Sequence, residues 1–259
     1  MGRIGLERDG ALAVITIDRP DKLNALTLSM YQELGAAFDE VRDDPRIGVA
    51  ILTGAGDRAF CVGADLQESI PALGEGRFDI SEWDGAHQKH SRLDKPVIAA
   101  VNGLCLGGGF EILLSTDIRV ASSAASFALP ETGVGVVPAG GTLVRLVRQI
   151  PYAFAMDLML RGTRIDADTA LRYGLVTRVV APEELESTAH GIAEELLGKS
   201  RVALSVITRA VRELADLPYD EAFRREAQIG QEAFASADAR EGLAAFAQRR
   251  PPVFPSATS

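Results

Sequence analysis

The chain is poor in the residues that build metal and redox centres, with two cysteines, three histidines and a single tryptophan. Cys61 and Cys105 both lie in apolar runs. That setting fits buried free thiols in a reducing compartment better than a disulfide or a nucleophilic thiol. No metal-ligand spacing links them with His87, His90 and His190. For His87 and His90, surface or packing roles are the common outcome of a three-residue spacing. The first residues lack an apolar signal region, and no apolar run approaches the length that spans a bilayer. A protein of the cytoplasm, with no membrane partner, is the expectation. Positive charge is also short: Lys and Arg number 27 against 36 Asp and Glu, for a net charge of −9. That balance argues against nucleic acid or an anionic surface as the main partner, although a local basic patch suffices for a small anion. Repeats and low-complexity linkers are absent.

What is present is an ordinary globular composition, and 259 residues can bury one full core with a small appended subdomain. Residues 11–17 and 47–53 read as apolar strands, as does Pro96 to Val101. Thr27 is a plausible N-cap for a helix reaching Arg42, with Leu28, Tyr31, Leu34, Phe38 and Val41 on one face. Residues 66–94 read as a loop at Pro71–Gly76 followed by about three turns of helix before Lys95. Asp117–Ala121, Ser126–Ala128 and Leu175–Val180 are further strands, and the chain beyond Gly140 is otherwise helical. Strand–helix alternation followed by a helical tail gives an α/β fold with a C-terminal helical region. Within Pro218–Phe246, charge lies on one face and Phe223, Ile229, Phe234, Leu243 and Phe246 on the other. That face packs either into the chain's own core or against a neighbouring subunit.

The chemistry concentrates where the strand ending at Val101 runs through Asn102-Gly103 into Gly107-Gly-Gly-Phe-Glu111. Glycines there let a ligand approach the backbone, and N–H groups at a helix start lack intrahelical partners. With the positive end of the helix dipole behind it, the Gly108 N–H suits a developing oxyanion. A dinucleotide reading fails because no G-x-G-x-x-G register fits. In Phe60-Cys-Val-Gly-Ala-Asp-Leu66 the turn at Gly63 offers the Ala64 N–H as a second donor, with Asp65 as a capping residue. Glu111 falls one helical turn past Gly108, among Phe110, Ile112 and Leu113. Glu131 follows Phe127-Ala-Leu-Pro, again in an apolar setting. Each carboxyl alone is as readily structural as catalytic. Two beside an oxyanion site point to general acid–base work on a thioester through an enolate.

Taken in order, these pieces resemble the crotonase superfamily, the enoyl-CoA hydratase/isomerase family. The resemblance rests on Arg19-Pro-Asp-Lys-Leu-Asn-Ala-Leu26, Ala59 to Leu66, Lys95-Pro to Glu111, Phe127 to Glu131, Pro138-Ala-Gly-Gly-Thr142, Arg161 to Ala167, Gly174-Leu-Val and Glu241 to Arg250. It spans about residues 10–254. It implies a crotonase-like spiral of ββα units over residues 1–198 and a helical trimerisation region over 199–259. It also implies a homo-oligomer, a trimer or a dimer of trimers, and an acyl-CoA substrate. By the same resemblance the N–H groups of Ala64 and Gly108 hold the thioester oxygen. Lys22, Leu23 and Ala25, together with Ala64, line the CoA groove, and Arg249 reaches the 3′-phosphate of a CoA held by a neighbouring subunit. No metal or redox cofactor is implied, since coenzyme A is part of the substrate.

Glutamates at both 111 and 131 resemble the hydratase pattern. Glu111 then acts as base toward water at C3 and Glu131 delivers a proton to C2. Isomerisation, or a carnitinyl-CoA dehydratase-type reaction suggested by Ile165–Val180, are the alternatives on the same scaffold. A non-catalytic CoA-ester-binding module is the distant one, and it has no use for two apolar-embedded glutamates. Two departures from the family pattern flank the site: Val62 stands where a small residue is common, and Val137-Pro-Ala-Gly-Gly-Thr-Leu-Val-Arg-Leu146 alters a nearby loop. Residues 67–92 are the segment expected to shape the acyl pocket.

Overall fold

The computed structural model describes residues 2–77, 79–90 and 93–258. Met1 and Ser259, the outer ends of the two regions expected from sequence, lie outside the described residues. So do Phe78, Ser91 and Arg92 of the acyl-pocket segment.

The chain opens with β1 (Arg3–Asp9), β2 (Leu12–Asp18) and helix α1 (Leu28–Asp43). Then come β3 (Val49–Gly54), β4 (Ala59–Cys61), a short α2 (Ser69–Gly74) and a 3-10 turn at Ile80–Trp83. The middle is β5 (Val97–Val101), β6 (Leu104–Leu106), α3 (Gly108–Leu113), β7 (Ile118–Ser122) and β8 (Ser126–Ala128). After a 3-10 turn at Pro130–Val134 follow α4 (Thr142–Gln149), α5 (Tyr152–Arg161), β9 (Ile165–Asp166), α6 (Ala167–Tyr173), β10 (Arg178–Val180) and α7 (Leu185–Leu197). The tail is α8 (Arg201–Leu214), α9 (Tyr219–Phe234), α10 (Ala237–Gln248) and α11 (Pro255–Thr258).

Strand order explains the architecture. One sheet runs β1-β2-β3-β5-β7-β10 and the other β4-β6-β8-β9. The pairs β3/β4, β5/β6 and β7/β8 each send one strand to each sheet, so the chain climbs as the ββα spiral that the resemblance implies. Pairing is parallel except at the ends, where β1 and β9 run antiparallel to β2 and β8. Parallel strands covered on both faces read as continuous apolar runs. All five residues of β5 are buried. Alternate side chains then serve two cores. Leu12, Val49, Ile51, Ile98, Ala100 and Val120 pack against Leu185, Ala189, Ile192 and Ala193 of α7. The interleaved Ile15, Ile17, Leu52, Val97 and Val101 face α1 and α3 in the larger core.

Helix α1 forms where its periodicity predicts. The Thr27 side chain accepts from the Met30 N–H at 3.2 Å. Tyr31, Leu34, Phe38 and Val41 are buried, joined by Met30 and Ala37. Lys95 closes the far end, donating to the carbonyls of Val41 and Asp44 at 2.7 and 2.6 Å, where helical carbonyls lack partners.

Several expectations need correction. Strand β1, with its charged RIGLERD sequence, and the three-residue β4 and β6 carry too little apolar periodicity to be read from sequence. The strand expected over Leu175–Val180 narrows to β10. Pro71–Gly76 is partly helical, within α2. The helix expected before Lys95 is absent over 80–90: a capping box at Asp79 and Glu82 closes a 3-10 turn, and Gln88 takes a left-handed φ of 48°. Both cysteines are buried and free. In the tail Ile229 is fully buried, while Phe223 (62%), Phe234 (79%), Leu243 (70%) and Phe246 (83%) are exposed. Packing into the chain's own core therefore holds for Ile229 alone.

Candidate active site

Three adjacent strands of the second sheet, β4, β6 and β8, deliver the site. Each ends in a turn at the same edge of the sheet: Val62-Gly-Ala64 after β4, Gly107-Gly108 after β6, and Leu129-Pro-Glu131 after β8. Parallel pairing places these turns side by side, as ligand sites in parallel sheets commonly require.

The first two turns bring two backbone donors together. Gly63 has a φ of 90°, and a Cβ there would stand 2.7 Å from the Gly108 nitrogen. No other residue lets the turns approach this closely. A Cβ on Gly108 would in turn lie 3.7 Å from the Ala64 nitrogen. The Gly108 N–H opens α3 and has no intrahelical acceptor. Among the described residues, the Ala64 N–H is not donated to a backbone carbonyl in the surrounding turns. Two backbone N–H groups on facing turns can together hold a developing negative oxygen.

The carboxyls come from α3 and from the Pro130–Val134 turn. Glu111 is 5% exposed, and its Oε1 accepts the Gly140 N–H at 2.6 Å. Burial first, and the Glu131 charge second, push its proton affinity up to about 7; the Gly140 N–H and Thr142 pull the other way. Glu131 is half-buried, and burial also raises its proton affinity. Its Oε1 lies 3.3 Å from where Gly107 would carry a Cβ, and its Oε2 has no hydrogen-bond partner among the described residues. One carboxyl that titrates near neutrality, beside a second with a free oxygen, is a pair suited to trading protons.

The segment 19–25 is tied to the same turn. Leu26 and Ala64 form a parallel bridge, with the Leu26 N–H on the Gly63 carbonyl and the Asp65 N–H on the Leu26 carbonyl, each at 2.8 Å. Arg19 donates to Asp65 at 2.7 Å and to the Ala25 carbonyl at 3.1 Å. Asp65 thus carries an ion pair as well as capping the turn at Gln67. Buried Asn24 accepts the Arg19 N–H and donates to the Ala55 and Ala59 carbonyls, holding Leu23 and Asn24 in left-handed conformations. Lys22 is exposed, Leu23 half-buried and Ala25 buried. Arg249 stands apart, on the exposed left-handed turn that closes α10, an element packed against α9 and α11.

Sequence reasoning missed three neighbours. Tyr31, read as a core position of α1, points its phenol at Gly108, whose Cβ would meet the oxygen at 2.7 Å. His87, read as surface or packing, is fully buried beside Glu111. Gly140 lay in a quoted motif without a role, yet supplies the N–H that holds Glu111. Ring contacts join two of these: Tyr31 stacks on Trp83 with centroids 4.4 Å apart, and meets the His87 ring at a tilt with centroids 5.6 Å apart. The apolar spacing of α1 disguised Tyr31. The signal for His87 was its place four residues after Trp83 in an otherwise polar stretch.

Comparison with known proteins gives the chain relatives along nearly its whole length. The family described as enoyl-CoA hydratase/isomerase matches residues 7–257. The chain is 41% identical over 254 residues to enoyl-CoA hydratase EchA19 of Mycobacterium tuberculosis, covering 96% of this chain and 95% of that protein. It is 39% identical over 254 residues to carnitinyl-CoA dehydratase of Escherichia coli, covering 96% and 97%. The crystal structure of enoyl-CoA hydratase from Bacillus anthracis superposes with a TM-score of 0.93 at 33% identity, covering 98% of this chain and 99% of that one.

Proposed function

The chain belongs to the enoyl-CoA hydratase/isomerase family, and from that premise we propose that it adds water reversibly across the 2,3 double bond of a 2-trans-enoyl-CoA. The thioester oxygen sits between the N–H groups of Ala64 and Gly108. Ionised Glu111 takes a proton from water as the water oxygen bonds to C3. The C2=C3 electrons move toward the thioester, and its oxygen takes up enolate charge. Glu131, entering protonated, gives its proton to C2 and restores the carbonyl. Each oxyanion donor of this kind contributes about 2.7–4 kcal/mol, and each positioned acid or base roughly 100-fold or more in rate. The step leaves Glu111 protonated and Glu131 ionised, and return of that proton from Glu111 to Glu131 through water resets the pair, so the cycle closes without a metal or redox cofactor.

The observation that carries this reading is the convergence of Glu111, Glu131 and the two N–H groups on one sheet edge, with Glu111 held near neutral proton affinity. Lys22, Leu23 and Ala25 line the CoA groove in this reading, and the Leu26–Ala64 bridge, which joins their loop to the turn at Ala64, supports it. Arg249 is assigned to a CoA held by a neighbouring subunit, in a trimer or dimer of trimers. The exposed apolar side chains of α9 and α10 support that assembly. Among the described residues no helix is long and apolar enough to cross a membrane. Two buried free thiols support a reducing, cytoplasmic setting.

A second reading, dehydration of a polar 3-hydroxyacyl-CoA in the carnitinyl manner, draws support from the Tyr31 phenol and the His87 ring beside the carboxyls. Mass analysis together with ultraviolet absorbance of the products from a panel of 2-enoyl, 3-enoyl and polar 3-hydroxyacyl thioesters separates the readings. Gain of one water by a 2-enoyl ester supports hydration. A shifted double bond at unchanged mass supports isomerisation, and no change in any ester removes the catalytic reading.

A further inference from the structure

Buried polar atoms without partners are rare in folded chains. Beside Glu111 the structure holds one that the reaction as written leaves unused. His87 is fully buried, and its Nδ1 lies 2.9 Å from the carbonyl oxygen of Trp83. A carbonyl only accepts, so Nδ1 carries the proton and Nε2 keeps its lone pair. Burial brings the imidazole's proton affinity down to about 4, which keeps the ring neutral around pH 7. Nε2 has no hydrogen-bond partner among the described residues. It faces Gly140, where a Cβ would meet His87 Nε2 at 2.5 Å and Glu111 Oε2 at 2.6 Å. Imidazole and carboxyl therefore converge on one point that only glycine leaves open. The backbone that carries the ring is held by Arg145, which donates to the carbonyl oxygens of His87 and Gln88 at 2.6 and 2.7 Å.

We propose that His87 is a positioning residue for Glu111, its Nε2 lone pair accepting the hydrogen bond of the Oε2–H that Glu111 gains from water. The proposal rests on Glu111 being the base of the hydration. A lone pair offers an ionised carboxylate nothing, but it gives the protonated carboxyl an acceptor. The acid form is thereby favoured, in the rotamer that keeps Oε1 on the Gly140 N–H. No bond breaks at the imidazole: the proton stays on Oε2, and Nδ1–H stays on the Trp83 carbonyl. The other titratable or charged groups around the ring are Asp84 and Lys89 on its own segment, Tyr31 from α1 and Arg145 from α4, while Glu131 from the Pro130–Val134 turn acts on Glu111. Glu131 raises the proton affinity of Glu111 independently, so the contribution of His87 must be isolated by changing His87 alone.

The test is a carbon-13 NMR titration of protein labelled at its glutamate carboxyls, with the Glu111 signal identified by its loss in Glu111→Gln. His87→Phe keeps an aromatic ring in the stack and removes Nε2. The Glu111 midpoint is expected to fall by about one pH unit, the scale of one hydrogen bond lost from the protonated form. His87→Gln, able to turn an amide N–H toward Oε2, is expected to lower the midpoint at least as far. Fluorescence of Trp83, the single tryptophan, reports whether the stack survives in each variant. A midpoint unmoved in variants with native-like emission overturns the proposal. The titration needs no turnover, so it is decided apart from the activity. A native chain that hydrates no enoyl thioester sinks the functional reading, while the midpoint still decides whether His87 sets the proton affinity of Glu111.

Discussion

Gly140 donates its backbone N–H to Oε1 of Glu111 at 2.6 Å, while its missing Cβ leaves the space that Glu111 Oε2 and His87 Nε2 face. One glycine thus orients the carboxyl and makes room for it. Gly140→Ala forces the carboxyl or the imidazole aside. Displacing a reacting group by an ångström costs roughly 100-fold in rate, so kcat is expected to fall by about that factor while the far-ultraviolet dichroism stays native. Unchanged kcat would remove Gly140 from the site's machinery.

A second close approach links Gly108 to Tyr31. A Cβ at Gly108 would meet the phenol oxygen at 2.7 Å, so Gly108→Ala is expected to lose about 1–3 kcal/mol of stability through overpacking. Tyr31→Phe removes the oxygen in the way. The double variant is then expected to be more stable than the sum of the single changes by at least about 0.5 kcal/mol. Denaturant unfolding of the four proteins measures this coupling, and strict additivity would mean that the strain lies elsewhere.

Burying Glu111 beside Glu131 costs stability at high pH. Its proton affinity in the fold is about 7 against an ordinary 4.5. Between those values the folded chain binds more protons than the unfolded one, so stability falls as pH rises. The contribution is fully present below the unfolded value and is lost as pH passes the folded one. Glu111→Gln, neutral throughout, is therefore expected to gain on the native chain by up to about 3 kcal/mol near pH 9 and to differ little near pH 4. Urea midpoints at the two pH values check this.

The exposed rings of the tail make the next prediction. Phe234 and Phe246 are 79% and 83% exposed in the single chain, and large apolar side chains in that state mark contact surfaces. Sedimentation at micromolar concentration is expected to show an oligomer, and Phe246→Glu to shift it toward monomer. A native monomer would contradict the subunit reading of this face.

The parts of the site legible in the sequence are those with a strong local signal. Gly107-Gly-Gly marks a helix start, Glu111 follows one turn later in an apolar run, and Glu131 follows a short apolar strand. Gly63 betrays the turn that presents Ala64. Tyr31 was hidden because a buried tyrosine at helical spacing looks like any core residue. His87 was hidden because residues 80–90 follow no period, and ring stacking and the Arg145 clamp place them instead. Strands β4 and β6, three residues each, are too short for alternation to show. The role proposed for Arg249 depends on a second chain, which no local pattern reports.

The most direct test follows the ultraviolet absorbance of crotonyl-CoA with the native chain and with Glu111→Gln and Glu131→Gln. The account predicts that the native chain bleaches the conjugated enoyl-thioester band, with a rate that passes through a maximum in pH because it needs Glu111 ionised while Glu131 is protonated. It predicts that either variant loses at least roughly 100-fold of that rate. Bleaching that persists at the native rate in Glu111→Gln would contradict the account, because the water would then have found another base.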